Sequence, residues 1–243
     1  MLKIKNKLFV HQNIPYSFNW NKGHHNEKFN QITTNQEELN RLKKLFTRIS
    51  QGLIPNDLFN SRKLPRISQF KIRGLKIALV RSFSKNLIRS GKIQRYDSTS
   101  KLPKYVQNVY DNFKEINISG HPGHEPVLKS ILIKDKNSLA IEIPIWYNND
   151  ENKFITGHID LIQIDGDVIK VIDYKPEGKF LISLPQVATY GILLKFKLKI
   201  NKLKCLTFNK NEAWEYDPGI LLMDIKEYLI SKRISERPWE TFL

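Results

Sequence analysis

The chain has 243 residues and carries a formal net charge of +16, with a pI near 9.8. That length can bury the core of one large domain or of a core domain with a smaller accessory region, and the second is expected. The single cysteine, Cys205, excludes an intrachain disulfide framework and, from this chain alone, a Cys-rich zinc site or a four-cysteine iron–sulfur cluster; no apolar run approaches the ~18 to 20 residues that cross a bilayer.

The segment from Met1 to about Asn30 is basic and poor in acids but lacks arginine and contains Pro15. It reads as part of the protein, with a cytoplasmic location expected, or a mitochondrial one if the segment is a presequence. Charge is uneven: residues 1–110 hold 22 Lys+Arg against 5 Asp+Glu (+17), and residues 111–243 hold 18 against 19 (−1). A coding bias toward lysine would affect both halves alike, so the asymmetry points to an N-terminal region that tracks a phosphate backbone. Thr34-Asn35-Gln36-Glu37 has the form of a capping box ahead of a helical stripe of Leu39, Leu42, Leu45, Phe46 and Ile49, with Arg41, Lys44 and Arg48 on another face. A second helix is predicted from about Leu75 to Ser90, closed by Gly91, with Arg81, Lys85 and Arg89 along one side. Either row could be an ordinary solvated helix face; the regional balance favours phosphate contact. A third helix, Leu102 to Ile116, completes a basic, mainly helical nucleic-acid-binding region expected over 1–116.

From Asn117 the texture changes to short apolar runs between turns, with Ser138–Trp146, Phe154–Ile164 and Val168–Lys175 reading as strands. Asp165-Gly166 is a hairpin signal that makes the last two antiparallel neighbours. Alternation puts His158 and Asp160 on one face of the first, and Asp173 and Lys175 on one face of the second. Carboxylates in Ile- and Val-rich strands are costly to bury unpaired. A hard divalent cation, Mg²⁺ or Mn²⁺, would explain them, bound by Asp160, Asp173 and the Tyr174 carbonyl, with Lys175 orienting water or stabilising developing charge. On spacing alone, an Asp–Lys surface salt bridge is the competing explanation.

The next helix is predicted to be capped by Ser183, with Pro185 in its first turn and Gln186 and Tyr190 one turn apart. Gly157-His158-Ile159-Asp160, then Asp173-Tyr174-Lys175-Pro176, then Gln186-Val187-Ala188-Thr189-Tyr190, in that order, resembles the PD-(D/E)xK nuclease superfamily, and within it the RecB-type exonuclease branch. The resemblance covers about residues 120–200. It implies that Asp160 and Asp173 bind metal, that Lys175 is the catalytic lysine, and that Gln186 and Tyr190 help hold DNA. It also implies an upstream metal ligand. His124 and Glu125 are ranked first, Glu142 is the runner-up and His121 remains a candidate, while His158 is expected to be a neighbour of the site.

The implied fold is α/β, a restriction-endonuclease-like three-layer sandwich around a central mixed sheet, with 117–243 as the nuclease core. The implied function is metal-dependent hydrolysis of DNA phosphodiester bonds, as an exonuclease on single-stranded ends or flaps. A structure-specific endonuclease and a non-catalytic nucleic-acid-binding module are the alternatives. No Gly-x-x-x-x-Gly-Lys motif is present, so unwinding would come from a separate helicase or a replication or repair partner. Tyr105, Tyr110 and Trp146 could stack on bases, although aromatics in such positions are more often core. Beyond the helix, a strand is predicted over Leu203–Phe208, an amphipathic helix over Pro218–Arg233, and a turn at Pro238-Trp239.

Overall fold

A computed structural model describes residues 4–34, 36–118, 120–149, 151 and 153–243. Eight strands form one sheet in the order β1-β2-β4-β5-β6-β7-β8-β3. Its centre matches expectation: β4 (Ser138–Asn148), β5 (Phe154–Asp165), β6 (Val168–Tyr174) and β7 (Leu203–Phe208). β5 and β6 form the predicted hairpin, with Gly166 at φ +61°, where the turn needs a residue without a Cβ. β6 and β7 are parallel and joined by the crossover helix α7 (Phe180–Leu198).

Helices cover both faces of the sheet. On one, α5 (Lys101–Glu115) and α6 (His124–Lys134) pack Val106, Val109, Leu128 and Ile131 against Ile141, Leu161, Ile172 and Phe208. On the other, α7 and α2 (Gln36–Ser50) bury Leu184, Val187, Leu42 and Phe46 against Ala140, Ile162 and Val171. The α2 stripe is buried as predicted, at Leu39, Leu42, Leu45, Phe46 and Ile49. The capping box ahead of it includes Asn35, outside the described residues, as is the start of the N-terminal segment at Met1. One cation of its polar face is structural: Arg41 donates to the carbonyls of Leu198 (2.5 Å) and Lys199 (3.0 Å), satisfying the free C-terminal end of α7.

The N-terminal half departs from a mainly helical appendage. β1 (Ile4–His11) and β2 (Ile14–Asn21) form a hairpin, and β2 joins the sheet through Asn19 and Trp20 against Ile141 and Ala140. β3 (Ile93–Tyr96) pairs with β8 (Ala213–Tyr216) at the opposite edge. The expected boundary at 116/117 therefore does not divide the fold, because both edges of the sheet are supplied from before it. The helical expectation does hold for α2, α4 (Ile77–Arg89) and α5, alongside α1 (Lys22–Gln31) and a short α3 (Asn56–Asn60). Two other local expectations are corrected. α7 starts at Phe180, so Pro185 lies inside the helix, where Leu181 loses a carbonyl partner, and Ser183 bonds back to the Lys179 carbonyl (3.2 Å) instead of capping. The predicted 218–233 helix is a 3₁₀ turn, Pro218–Leu221, opened by the Asp217 side chain accepting from Gly219 N–H, and then α8 (Asp224–Ser231).

Candidate active site

Three acids lie in one row across the middle of the sheet. The β4–β5 register sets Ile141 against Leu161 and Ile143 against Ile159, so Glu142 stands opposite Asp160. The β5–β6 ladder ends with Leu161 against Ile172, which sets Asp160 opposite Asp173 one step further on. Beyond that pair the strands part: the Tyr174 N–H is donated to Asp160 Oδ2 at 2.8 Å. Glu142 has φ +52°, a left-handed conformation that costs of order 1 kcal/mol or more for a residue with a Cβ. Such an outlier in the middle of an apolar strand marks a position held for a purpose other than packing.

Lys175, just beyond the end of β6, reaches back so that its Nζ lies 2.7 Å from Asp173 Oδ2. This ion pair is the partner of that buried oxygen. Gln186 Nε2, on α7, donates to the other oxygen, Oδ1, at 3.3 Å. From the opposite face, His124 at the start of α6 places Nε2 3.0 Å from the Tyr174 carbonyl oxygen.

The electrostatics are those of excess negative charge. Burial, then Asp160, Asp173 and Glu125, push Glu142 up to about 8. Burial, then Asp160, push Asp173 up to about 7, against the opposing pull of Lys175 and His124. Burial also raises Asp160, partly offset by Lys175 and the Tyr174 N–H. Burial draws the Lys175 ammonium down, but Asp173 and Asp160 more than offset it, so its pKa is raised and it stays cationic. Lys175 thus offsets two of the three carboxylates, and Glu142 meets only their negative charge.

The three sequence motifs interlock. A Cβ on Gly157 would lie 2.6 Å from the Tyr190 ring and 3.2 Å from Ile67, so the glycine of the first motif admits the tyrosine of the third. The second motif meets the third through Asp173 and Gln186, and the first through Tyr174 and Asp160. The expectation that Gln186 and Tyr190 grip DNA is not met in this geometry, since both are buried. They lie behind the site, Gln186 on a catalytic candidate and Tyr190 against the strand, its hydroxyl beside the His158 backbone and Gln186.

Among the upstream candidates, His124 and Glu142 join the cluster. Glu125 is exposed, pairs with Lys129 at 2.7 Å and reaches the cluster only through its charge on Glu142. His121 sits beside the Tyr110 ring, 5.5 Å between centroids. Trp146 lies under Lys197, whose Nζ is 3.8 Å from its ring centre.

His158, next to the site, belongs to a buried relay that sequence reasoning did not find. Arg66 Nη2 lies 3.4 Å from its Nδ1, and its Nε2 lies 2.9 Å from His11 Nδ1. His11 Nε2 in turn faces Asn56 Oδ1 at 3.4 Å, and the Tyr16 ring stacks on His158 at 3.7 Å. Burial lowers both histidines, so both rings are neutral. With arginine able only to donate, His158 donates to His11 and His11 to Asn56. The partners, on β1, β2, the start of α3 and the loop after it, have no sequence spacing that announces the contact.

The basic row of α4 is exposed, and Arg81 and Lys85 line a groove with a volume of about 620 Å³ between α4, the β6–α7 connection and β8. Arg89, one turn on, is exposed but does not line it.

The donor set of the acid row, carboxylates with a carbonyl oxygen and one imidazole, suits a hard divalent cation. Among the described residues, however, no three His, Cys, Asp or Glu side chains stand ready-made at metal-binding geometry. The donors are held by one another's neighbours: Asp160 by Tyr174 N–H, Asp173 by Lys175 and Gln186, and the Tyr174 carbonyl by His124. The mutual repulsion of the three carboxylates is what a cation would relieve. Comparison with family models, with curated proteins and with solved structures finds no match to this chain.

Proposed function

We propose that the chain is a metal-dependent nuclease of the PD-(D/E)xK type on a restriction-endonuclease-like core, hydrolysing DNA phosphodiester bonds. The observation that carries this reading is the row Glu142, Asp160 and Asp173 with Lys175 against it. One buried and two half-buried carboxylates with raised pKa values beside one cation are unfavourable in a purely structural core. A bound cation would make them favourable, and the Asp173–Lys175 ion pair is not a surface one, because Asp173 is only 1 % exposed.

Asp160 and Asp173 would hold Mg²⁺ or Mn²⁺, with Glu142, His124 and the Tyr174 carbonyl as the further donors within the cluster. Such an ion, when bound, supplies Lewis-acid polarisation of the phosphate and a lowered pKa for water. The chain's own residues do the rest. Lys175, kept protonated by the two aspartates, presents a positive charge to the phosphate oxygens as water adds to phosphorus and the bond to the leaving oxygen breaks. Gln186 fixes the carboxylate of Asp173, and Tyr190 fixes β5 through Gly157, so the aspartates keep their spacing. Over the whole hydrolysis the proton that water loses ends on the departing oxygen.

The resemblance favours an exonuclease acting on single-stranded ends or flaps. No helix of the described residues is long and apolar enough to cross a membrane. Incubation of end-labelled linear and circular single-stranded DNA with Mg²⁺ or Mn²⁺ tests the reading. Shortening of the linear strand with the circle intact is expected. A cut circle moves the assignment to an endonuclease, and no metal-dependent cleavage of either sinks the nuclease reading.

A further inference from the structure

The groove beside the acid row has a composition that plain phosphate binding does not need. Its rim carries Arg81 and Lys85 from α4 and Lys179 from the β6–α7 connection, and none of the three side chains has an ion-pair or hydrogen-bond partner among the described residues. The acid of the lining, Glu212, is already engaged by Arg95 at 2.6 Å and by the Trp214 indole N–H at 3.3 Å. Between the cations the wall is apolar. Ile77, 71 % exposed, stands with the half-buried Val80 and Ile88 on the α4 side, while Phe180, also in the lining, is buried. A single exposed isoleucine is ordinary on a protein surface, but here three aliphatic side chains of one helix line the same groove as three unpaired cations.

Position ties the groove to the chemistry. Its wall at Gly178–Ile182 follows Lys175 directly in the chain, and Gln186 lies one turn further along the same helix. This part of the lining therefore begins three residues after Lys175. In a duplex the base faces are stacked inside and only phosphates and groove edges are presented, so an apolar wall would find no partner. In a single strand the base faces are free, and a cationic rim with an apolar wall matches its two chemistries at once.

Resting on the nuclease reading above, we propose that this groove binds a single nucleic-acid strand, phosphates along Arg81, Lys85 and Lys179 and bases against Ile77, Val80 and Ile88, and so selects unpaired over paired substrate. Specificity on this account comes from α4 and the start of α7, whereas the acid row would cut either form.

The test is fluorescence anisotropy of the full chain in EDTA, where nothing is cleaved, with a labelled oligothymidylate of about a dozen nucleotides and a blunt duplex of the same length. The single strand should bind about tenfold or more tightly than the duplex. Joint replacement Arg81→Ala and Lys85→Ala should weaken single-strand binding and reduce the slope of log affinity against log salt by about 1.4, at roughly 0.7 per phosphate contact. Ile77→Ser, at a position exposed enough to leave folding intact, should weaken single-strand binding by about threefold to tenfold with the salt slope unchanged. Lys44→Ala on α2 removes an exposed charge elsewhere and should have no comparable effect. Equal binding of strand and duplex, no effect of Ile77→Ser, or equal losses for Lys44→Ala and the α4 pair would each overturn the proposal. Hydrolysis of bis(p-nitrophenyl) phosphate by the unsubstituted chain with Mn²⁺, a substrate too small to need the groove, reports the nuclease reading separately. Its absence alongside the expected binding pattern rejects the nuclease and supports the groove.

Discussion

The acid row and the basic groove are neighbours built on opposite principles. Glu142, Asp160 and Asp173 are buried or nearly so and repel one another, while Arg81, Lys85 and Lys179 are exposed and face no acid. A solvated cation costs the fold almost nothing, so a lysine-rich chain can carry many without any function. A buried carboxylate beside two others costs stability, so its presence argues for a ligand. The row is therefore strong evidence residue by residue, and the groove is evidence only through the apolar wall between its charges.

The comparison breaks most sharply at Lys175 and Asp160. Lys175→Ala and Asp160→Asn are each expected to lower cleavage of labelled DNA by about two to three orders of magnitude, with single-strand binding in EDTA unchanged because neither lines the groove. Binding lost together with cleavage would mean that the two regions are one site.

Metal-free stability should carry the opposite signature. With Glu142 raised to about 8 and Asp173 to about 7 in the folded chain, the native state holds more protons than the unfolded one between the ordinary carboxylate range and about pH 8. The slope of unfolding free energy against pH is then negative there, so this contribution is present at low pH and is lost as pH rises through the folded values. Tm in EDTA should fall from pH 5 to pH 8, and Glu142→Gln should flatten the fall. Mn²⁺ at about a hundred times its Kd should restore about 2.7 kcal/mol at pH 8, and Asp173→Asn should abolish that gain. A metal-independent Tm with no pH slope would make the row an ordinary core feature.

Packing behind the row gives the next effect. Gly157→Ala would force a methyl against Tyr190, and the expected loss is about 1–3 kcal/mol in chemical denaturation. Leaving Tyr190 as Phe should not relieve it, since the clash involves the ring carbon at 2.6 Å as well as the hydroxyl at 2.9 Å.

Sequence carried the centre of the fold because β4 to β7 are short apolar runs bounded by clear turns, and their ends agree with the structure to within one or two residues. It did not carry the sheet's edges. Ile4–His11 breaks its apolar residues into a run after Lys5-Asn6-Lys7, Ile14–Asn21 begins with a proline in its second position, and Ile93–Tyr96 has three of four residues exposed, so their strand signal is weak and the pairing of β2 with β4 and of β3 with β8, more than a hundred residues apart, is invisible locally. The same limit affected the site. The shared row of Asp160 and Asp173 was legible from alternation, but Glu142 ranked behind His124 and Glu125 on their distance from Asp160 in the chain, and its positive φ and place opposite Asp160 are encoded by no residue spacing. Gln186 and Tyr190 were placed in the right turn of α7 and given the wrong surroundings, since contact with Asp173 and with Gly157 depends on how closely the helix lies on the sheet.

Glu125 offers the smallest effect and the finest discrimination. It is 61 % exposed at its side chain and paired with Lys129 across one helical turn, so Glu125→Gln should change stability by only about 0.3–0.5 kcal/mol. It nevertheless contributes, after burial and the two aspartates, to the raised pKa of Glu142. Removing its charge should move the pH dependence of Tm in EDTA slightly downward, with metal-dependent cleavage retained. Glu142→Gln should instead remove the Glu142 share of that dependence, leaving that of Asp173, and weaken the Mn²⁺-induced rise in Tm. If Glu125→Gln abolishes the metal response and Glu142→Gln leaves it untouched, the upstream ligand lies on the first turn of α6 and the row on β4 to β6 is two carboxylates wide.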